Sequence, residues 1–260
     1  MDVVQPKIIK TEHKLIAGDC LEIMPKMPSK SIDLIITDPP FNIGKDYGIY
    51  DDKKDFNEYM NWCKNWLTES IRLLKEDGSI YLFNYPENNA FILPFLKEKV
   101  IFRRWMTWHY PTNTGHSKYN YTRSQHSILF CTKSEKPKFN RDVIAEPYKN
   151  PTDKRILERL SNGSKGRAPY DVFQFNLVKN VSRDKTPHPC QIPVPLLKIF
   201  IKASSNEGDW VLDPFAGSFS TCAAAKELNR NSIGIDINPE YVKIGEKRLA
   251  QIRPLDDFVR

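Results

Sequence analysis

Five cysteines in 260 residues, at positions 20, 63, 131, 190 and 222, are odd in number and never fall in a CxxC pair. That scarcity excludes a disulfide-stapled fold and a zinc site, and a reducing cytoplasm is the expected location. Long apolar runs are also lacking: none approaches the roughly 18 residues needed to span a bilayer. The second residue is acidic, so neither secretion nor membrane insertion is expected. No G-x-G-x-x-G occurs, which speaks against a dinucleotide pyrophosphate site. Internal repeats and low-complexity tracts are absent as well. What remains is a chain long enough for one large α/β domain with an inserted region.

The charge is present but unevenly spread. The chain carries 39 Lys and Arg against 32 Asp and Glu, yet residues 97–185 hold 19 basic and 8 acidic side chains, an excess of +11, while the rest carries −4. A local positive face suits a polyanionic partner. Around it the pattern alternates between strands and helices. The apolar, β-branched run 33–37 reads as a buried strand, and residues 55–75 as an amphipathic helix stopped by Gly78. Strand 79–84, helix 88–98 and strands 101–109 and 127–132 follow. Nearer the C-terminus come helix 194–204, strand 209–213, helix 220–228, strand 232–236 and a helix from Pro239. This alternation predicts a doubly wound, mostly parallel sheet. Residues 1–110 and 188–260 form its two halves, and residues 111–187, poor in apolar periodicity, an insert.

Ligands of parallel α/β sheets sit beyond the carboxyl ends of the strands, where Asp38-Pro39-Pro40-Phe41 falls. Asp38 and a backbone carbonyl are acceptors suited to hold both N–H groups of an amine and draw its nitrogen toward tetrahedral shape. Pro39 and Pro40 stiffen the turn and donate no N–H. Phe41 offers a π-face for a planar base, worth roughly 1–3 kcal/mol. A strand-ending turn with an aromatic packed beneath it is the plainer reading of the same four residues.

In the second half, Val211 to Ser218 reads as a strand running into a glycine-containing loop and a helix, an arrangement that lets backbone approach a nucleoside closely. Asp236, nineteen residues after Gly217 and at the end of the next strand, is placed to accept from ribose hydroxyls. With no phosphate cradle beside it, the site favours a nucleoside such as S-adenosylmethionine over NAD.

Taken together, Gly18-Asp19-Cys20, Thr37-Asp-Pro-Pro-Phe41, His188-Pro-Cys-Gln-Ile-Pro193 and Asp213-Pro-Phe-Ala-Gly-Ser-Phe-Ser-Thr221 resemble the beta group of amino DNA methyltransferases, in that group's order and over nearly the whole chain. The closest overall look is to adenine methyltransferases of type IIS restriction-modification systems. The resemblance implies the methyltransferase fold, S-adenosylmethionine as cofactor, no metal, and transfer to N6 of a flipped adenine in double-stranded DNA. Asp38 and the Pro39 carbonyl would hold the amine, with Pro40 stiffening the turn and Phe41 stacking on the base. Asp19 and Cys20 would lie by the cofactor adenine, Asp213, Phe215 and Gly217 by its methionine portion and Asp236 at the ribose, with Asp38, Ala216, Ser218 and Ile237 also among the cofactor-binding residues. His188 and Pro189 would border the same pocket. A homodimer, and a cognate endonuclease acting on the same sites without a stable complex, are the implied protein partners.

Two departures stand out. Phe219 replaces a customary glycine, and Cys190 and Ile192 replace a threonine and a lysine. Both are expected to fall in the cofactor pocket and weaken its grip, so that Phe219→Gly would tighten binding. For DNA, Lys118, Arg123, Lys165, Arg167, Arg183 and Lys185 are the leading candidates, with Lys149, Lys154, Arg155, Arg159 and Lys179 beside them. Their interleaving with Tyr119, Tyr121, Tyr148 and Tyr170 marks a nucleic-acid face. Open alternatives are a cytosine-N4 enzyme, a methyltransferase for a protein or RNA amine, and a DNA-binding subunit with a decayed cofactor site.

Overall fold

Residues 10–45, 52–112, 115, 118–178, 186–188 and 190–252 are described by a computed structural model. Pro189, Lys179, Arg183 and Lys185, all singled out from the sequence, lie outside them. The described strands are β1 (His13–Ala17), β2 (Ile32–Thr37), β3 (Leu74–Asn84), β4 (Ile101–His109), β5 (Gln125–Thr132), β6 (Val172–Gln174), β7 (Trp210–Asp213) and β8 (Asn231–Asp236). The helices are α1 (Cys20–Ile23), α2 (Phe56–Leu73), α3 (Pro86–Lys99), α4 (Lys154–Ser161), α5 (Val194–Ser204), α6 (Ser220–Glu227) and α7 (Pro239–Gln251).

The strands form one sheet in the order β1-β8-β7-β2-β3-β5-β4-β6, parallel throughout except that β5 runs against both β3 and β4. This is the mixed α/β, mostly parallel sheet that the alternation predicts. Every residue of β2 is buried, as a strand covered on both faces requires. Alternate residues serve opposite layers. Ile35, Ile80, Leu82 and Leu129 pack with Tyr59, Trp66, Leu67, Ile92 and Leu96 of α2 and α3. Leu34, Ile36, Tyr81, Phe83 and Ile128 pack with Leu196, Leu197, Phe200 and Ile201 of α5.

Two expectations are corrected. Gly78 does not stop α2, because that helix ends at Leu73 and β3 begins at Leu74 with no loop between them. Gly78 lies inside β3, where a Cβ would stand 3.1 Å from the Asp33 carbonyl oxygen and 3.0 Å from that of Lys75. Close approach of two backbones demands the glycine there.

Phe219 is the second. Its ring is fully buried among Ala216, Cys222, Ala223, Val242 and Leu249 and does not line the pocket described below. A Cβ on Gly234 of β8 would stand 2.7 Å from this ring and one on Gly245 of α7 2.5 Å from it. Two glycines thus vacate the space that the ring fills. Its backbone, at φ 55°, keeps the left-handed conformation that favours glycine. The side chain points into the core, so the expected weakening of the cofactor pocket by Phe219 does not follow.

Charged groups also tie the sheet. Asp33 of β2, 2% exposed, accepts from Lys75 at 2.8 Å, Lys138 at 3.1 Å and the Trp210 backbone N–H at 2.9 Å. Burial alone would raise this carboxyl, but those donors outweigh it and hold it below the usual carboxylate range. Among the described residues, no helix is long and apolar enough to cross a membrane.

Candidate active site

Four parallel neighbours, β1, β8, β7 and β2, end on the same edge of the sheet, and each hands the chain to a functional segment. After β1 come Gly18, Asp19 and Cys20, and the Asp19 carboxylate caps α1 by accepting from Leu21 N at 2.8 Å. After β2 comes Asp38. β7 ends in Asp213 and β8 in Asp236.

A cleft opens at this edge. The structure brings Asp19, Cys20, Asp38, Pro40, His188, Asp213, Phe215, Ala216, Gly217, Ser218, Asp236 and Ile237 together in its walls. Cys190 and Ile192 line it as well. Pro39 and Phe41 do not. The walls also include Thr221, the last residue of the motif that opens at Asp213, and Trp62, Asn238 and Tyr241, which the sequence pattern did not mark. Trp62 belongs to α2, the helix expected to be amphipathic. It lies on the half-buried flank and its ring meets Phe215 at 5.3 Å, whereas Trp66, one turn on, is the buried one. Helical spacing marks both positions without separating them.

The glycine loop is specific in its geometry. Gly217 has φ 48°, and a Cβ there would stand 2.7 Å from His188 Nε2. Its N–H donates to Asp236 Oδ2 at 2.8 Å, while Asn238 N donates to Oδ1 at 2.8 Å. Burial raises the Asp236 carboxyl above its ordinary value, and those two donors oppose the rise. Asp213 accepts from the Thr221 hydroxyl at 2.7 Å and from Phe215 N at 3.1 Å, yet burial still pushes it up to about 7.

Asp38 is less well served. Its Oδ1 is shut away from solvent and has no hydrogen-bond partner. Burial first, then the field of Asp213, pushes this carboxyl up to about 8, against a lowering pull from Lys45. The turn it belongs to is fixed on the far side by Asp52, 3% exposed, which accepts from Asn42 N at 2.8 Å, Ile43 N at 3.1 Å and Lys45 N at 3.0 Å.

Phe41 lies beside the cleft and is only 6% exposed. Its ring packs against Tyr85 at 4.9 Å and against the edge of His126 at 5.3 Å. The expected open π-face is therefore covered by these neighbours. Burial, then Arg123 and Lys45, lowers His126 to about 4, so the imidazole beside it is neutral.

The basic candidates sort by their surroundings. Arg123 stacks on Tyr85 at 4.0 Å and pairs with Glu87 at 2.7 Å. Arg167 stacks on Tyr170 at 3.7 Å and pairs with Glu146 at 2.6 Å, beside the short bridge between those two chain segments. Lys118 and Lys165 are exposed, as are Lys154, Arg155 and Arg159 on α4.

Residues 32–247 match the family model described as DNA methylase. The type II methyltransferase M.HpaI of Haemophilus parainfluenzae is 38% identical over 92% of this chain and 74% of its own length. The DNA adenine methyltransferase YhdJ of Escherichia coli K12 is 36% identical over 90% of this chain and 82% of its own. Among solved structures, the cytosine-N4-specific PvuII DNA methyltransferase superposes with TM-score 0.72 at 20% identity, covering 94% of this chain and 89% of that one. The M1.HpyAVI complex with SAM superposes with TM-score 0.66 at 24% identity, covering 91% and 98%. These last two likenesses concern the fold.

Proposed function

This chain belongs to the N6/N4 DNA methylase family, and on that premise we propose that it methylates the N6 amine of an adenine turned out of duplex DNA, as the site-specific methyltransferase of a restriction-modification system. The observation that carries the reading is Asp38 itself, which lines the cleft at the end of β2 and whose Oδ1 is buried without a hydrogen-bond partner. A buried acceptor without a donor costs about 1–3 kcal/mol, and an incoming N–H removes that cost.

S-adenosylmethionine is the methyl donor, and the cleft fits it. Gly217 lets the His188 ring, which a Cβ would strike, stand against the loop, Asp236 offers a carboxylate to ribose hydroxyls, and Asp38 and Asp213 complement positive charge when ionised. Trp62 and Tyr241 add flat aromatic surface to the walls of the cleft. The cofactor supplies an electrophilic methyl group on a sulfonium. The chain's own residues align the acceptor: Asp38 takes one amine proton in a hydrogen bond, the Pro39 carbonyl the other, and the nitrogen lone pair is turned toward the cleft. Turning out the base costs a few kcal/mol, which phosphate contacts from Lys118, Lys165 and their neighbours offset.

Asp in the first position of the tetrapeptide and the adenine specificity named for YhdJ support N6. Cytosine N4 is the second reading, favoured by the PvuII fold likeness, since both amines are exocyclic and would meet the same two acceptors. Incubation of the purified chain with labelled S-adenosylmethionine and unmethylated plasmid DNA, followed by digestion to nucleosides, is expected to give N6-methyladenine. N4-methylcytosine instead would establish the second reading. Asp38→Ala is expected to lower the transfer rate by about 100-fold or more, and a variant as fast as wild type would defeat both.

A further inference from the structure

The acceptors of the turn from Asp38 to Phe41 are treated unequally by the elements around it. The Tyr59 hydroxyl, on α2, donates to the Pro40 carbonyl at 2.8 Å, and the Asn88 amide, on α3, donates to the Phe41 carbonyl at 2.8 Å. Asn84, the last residue of β3, joins these two donors. Its Nδ2 donates to the Tyr59 oxygen at 3.1 Å, and its Oδ1 accepts from Asn88 Nδ2 at 2.9 Å. It is pinned in turn by Tyr85 N, which donates to Oδ1 at 2.8 Å, and by the Ser127 hydroxyl, which donates to its carbonyl at 3.0 Å. Asn89 Nδ2 then reaches Ser127 Oγ at 2.7 Å.

Tyr59, Asn84, Asn89 and Ser127 are fully buried. In that setting each misdirected donor would lose its partner, so the network holds together in one arrangement. No described residue donates to the Pro39 carbonyl, in contrast with the two carbonyls that follow it. Proline at 39 and 40 also removes the N–H groups that would otherwise compete for nearby acceptors.

We infer that Tyr59, Asn84 and Asn88 are positioning residues for methyl transfer: they engage the Pro40 and Phe41 carbonyls, fix the peptide planes of the turn, and leave Asp38 and the Pro39 carbonyl as the acceptors for the amine. This deepens the proposed function and rests on its reading of Asp38 and Pro39. None of the three touches the reacting atoms; they act through the orientation of one carbonyl. Misplacement on the order of 1 Å at such a site costs about 100-fold in rate.

The test compares full-length wild type with Tyr59→Phe, Asn88→Ala and the double variant in single-turnover transfer, with S-adenosylmethionine and duplex DNA both saturating. Calorimetric affinity for the cofactor and thermal unfolding are measured on the same preparations. Each single variant is expected to slow transfer by about 10- to 100-fold, with cofactor affinity within two-fold of wild type. The double variant should lose less than the product of the two, because both donors hold one turn. Asn88 is half-buried on a helix, so Asn88→Ala carries the test alone if Tyr59→Phe does not fold. Rates within two-fold of wild type would overturn the inference, and so would rate losses matched by equal losses of cofactor affinity. The base found in the wild-type product tests adenine against cytosine, whereas the ratio of variant to wild type tests the network whichever base is labelled.

Discussion

Asp38 brings its two roles into conflict in a single carboxyl group. In the proposed role it accepts most strongly from an amine when ionised, but burial and then Asp213 push it up to about 8, so at neutral pH it is mostly protonated. The folded-state value is raised above the unfolded one, so the folded chain binds the proton more tightly. The resulting stabilisation is fully present below the ordinary carboxylate range and is lost as pH rises through about 8. Melting temperature is therefore expected to decline between about pH 4 and about pH 8, and Asp38→Asn should flatten that decline; an unchanged slope in the variant would contradict the assignment. A sulfonium donor brings positive charge to the same place. Its binding should tighten over this pH range and release protons, visible by calorimetry in buffers of different ionisation enthalpy. The carboxylate itself was legible in the sequence from its place at a strand end. Its missing partner was not, because hydrogen-bond satisfaction depends on atoms brought in from α2, α3 and β7.

Elements tell a similar story about what a sequence encodes locally. Helices α2, α3, α5 and α7 and strands β2, β5, β7 and β8 follow from apolar periodicity and capping residues such as Asp55, whose carboxylate accepts from Asn57 N at 2.9 Å. The edge strand β1 and the short β6 escaped, because a few half-exposed residues paired on one side give little alternation. Helix α4 escaped because none of its residues is buried. The junction of α6, α7 and β8 escaped for another reason: a phenylalanine in a glycine position looks like damage until the two glycines facing it are seen. Ring burial outweighs a left-handed φ there, since removing a buried phenylalanine costs about 3–5 kcal/mol and the strain about 1–3 kcal/mol. Phe219→Gly is expected to destabilise the protein by about 2–4 kcal/mol in urea unfolding, with cofactor affinity in the folded fraction unchanged. Tighter binding in that variant would reinstate the pocket role that the structure removes.

At the scale of the molecule, positive charge and the cleft are separated along the chain. The +11 excess lies in residues 97–185, whereas most of the cleft is built from the strands on the other side of β3. Composition revealed that asymmetry. It could not reveal that Arg123 and Arg167 are held by glutamates and tyrosines while Lys118 and Lys165 stand exposed. Replacing both lysines by alanine is expected to reduce the slope of log affinity for DNA against log salt by about 2, roughly 1 for each phosphate no longer neutralised, without shifting the melting temperature. Arg167→Ala should mainly lower that temperature. A salt slope unaltered by the paired lysine change would move the DNA face elsewhere.

The pairing of β1 with β8 has an outcome for how the protein comes into being. His13 to Ala17 find their partners only at Ser232 to Asp236, 219 residues later in the sequence. Contacts so distant in sequence form late and slowly. A chain growing on the ribosome therefore makes the segment through Asp38 early but gains a floor for the methyl donor only once β8 has been made. Fragments cut short before β8 would carry half a catalyst with nothing to transfer, and an interrupted translation product is silent on DNA.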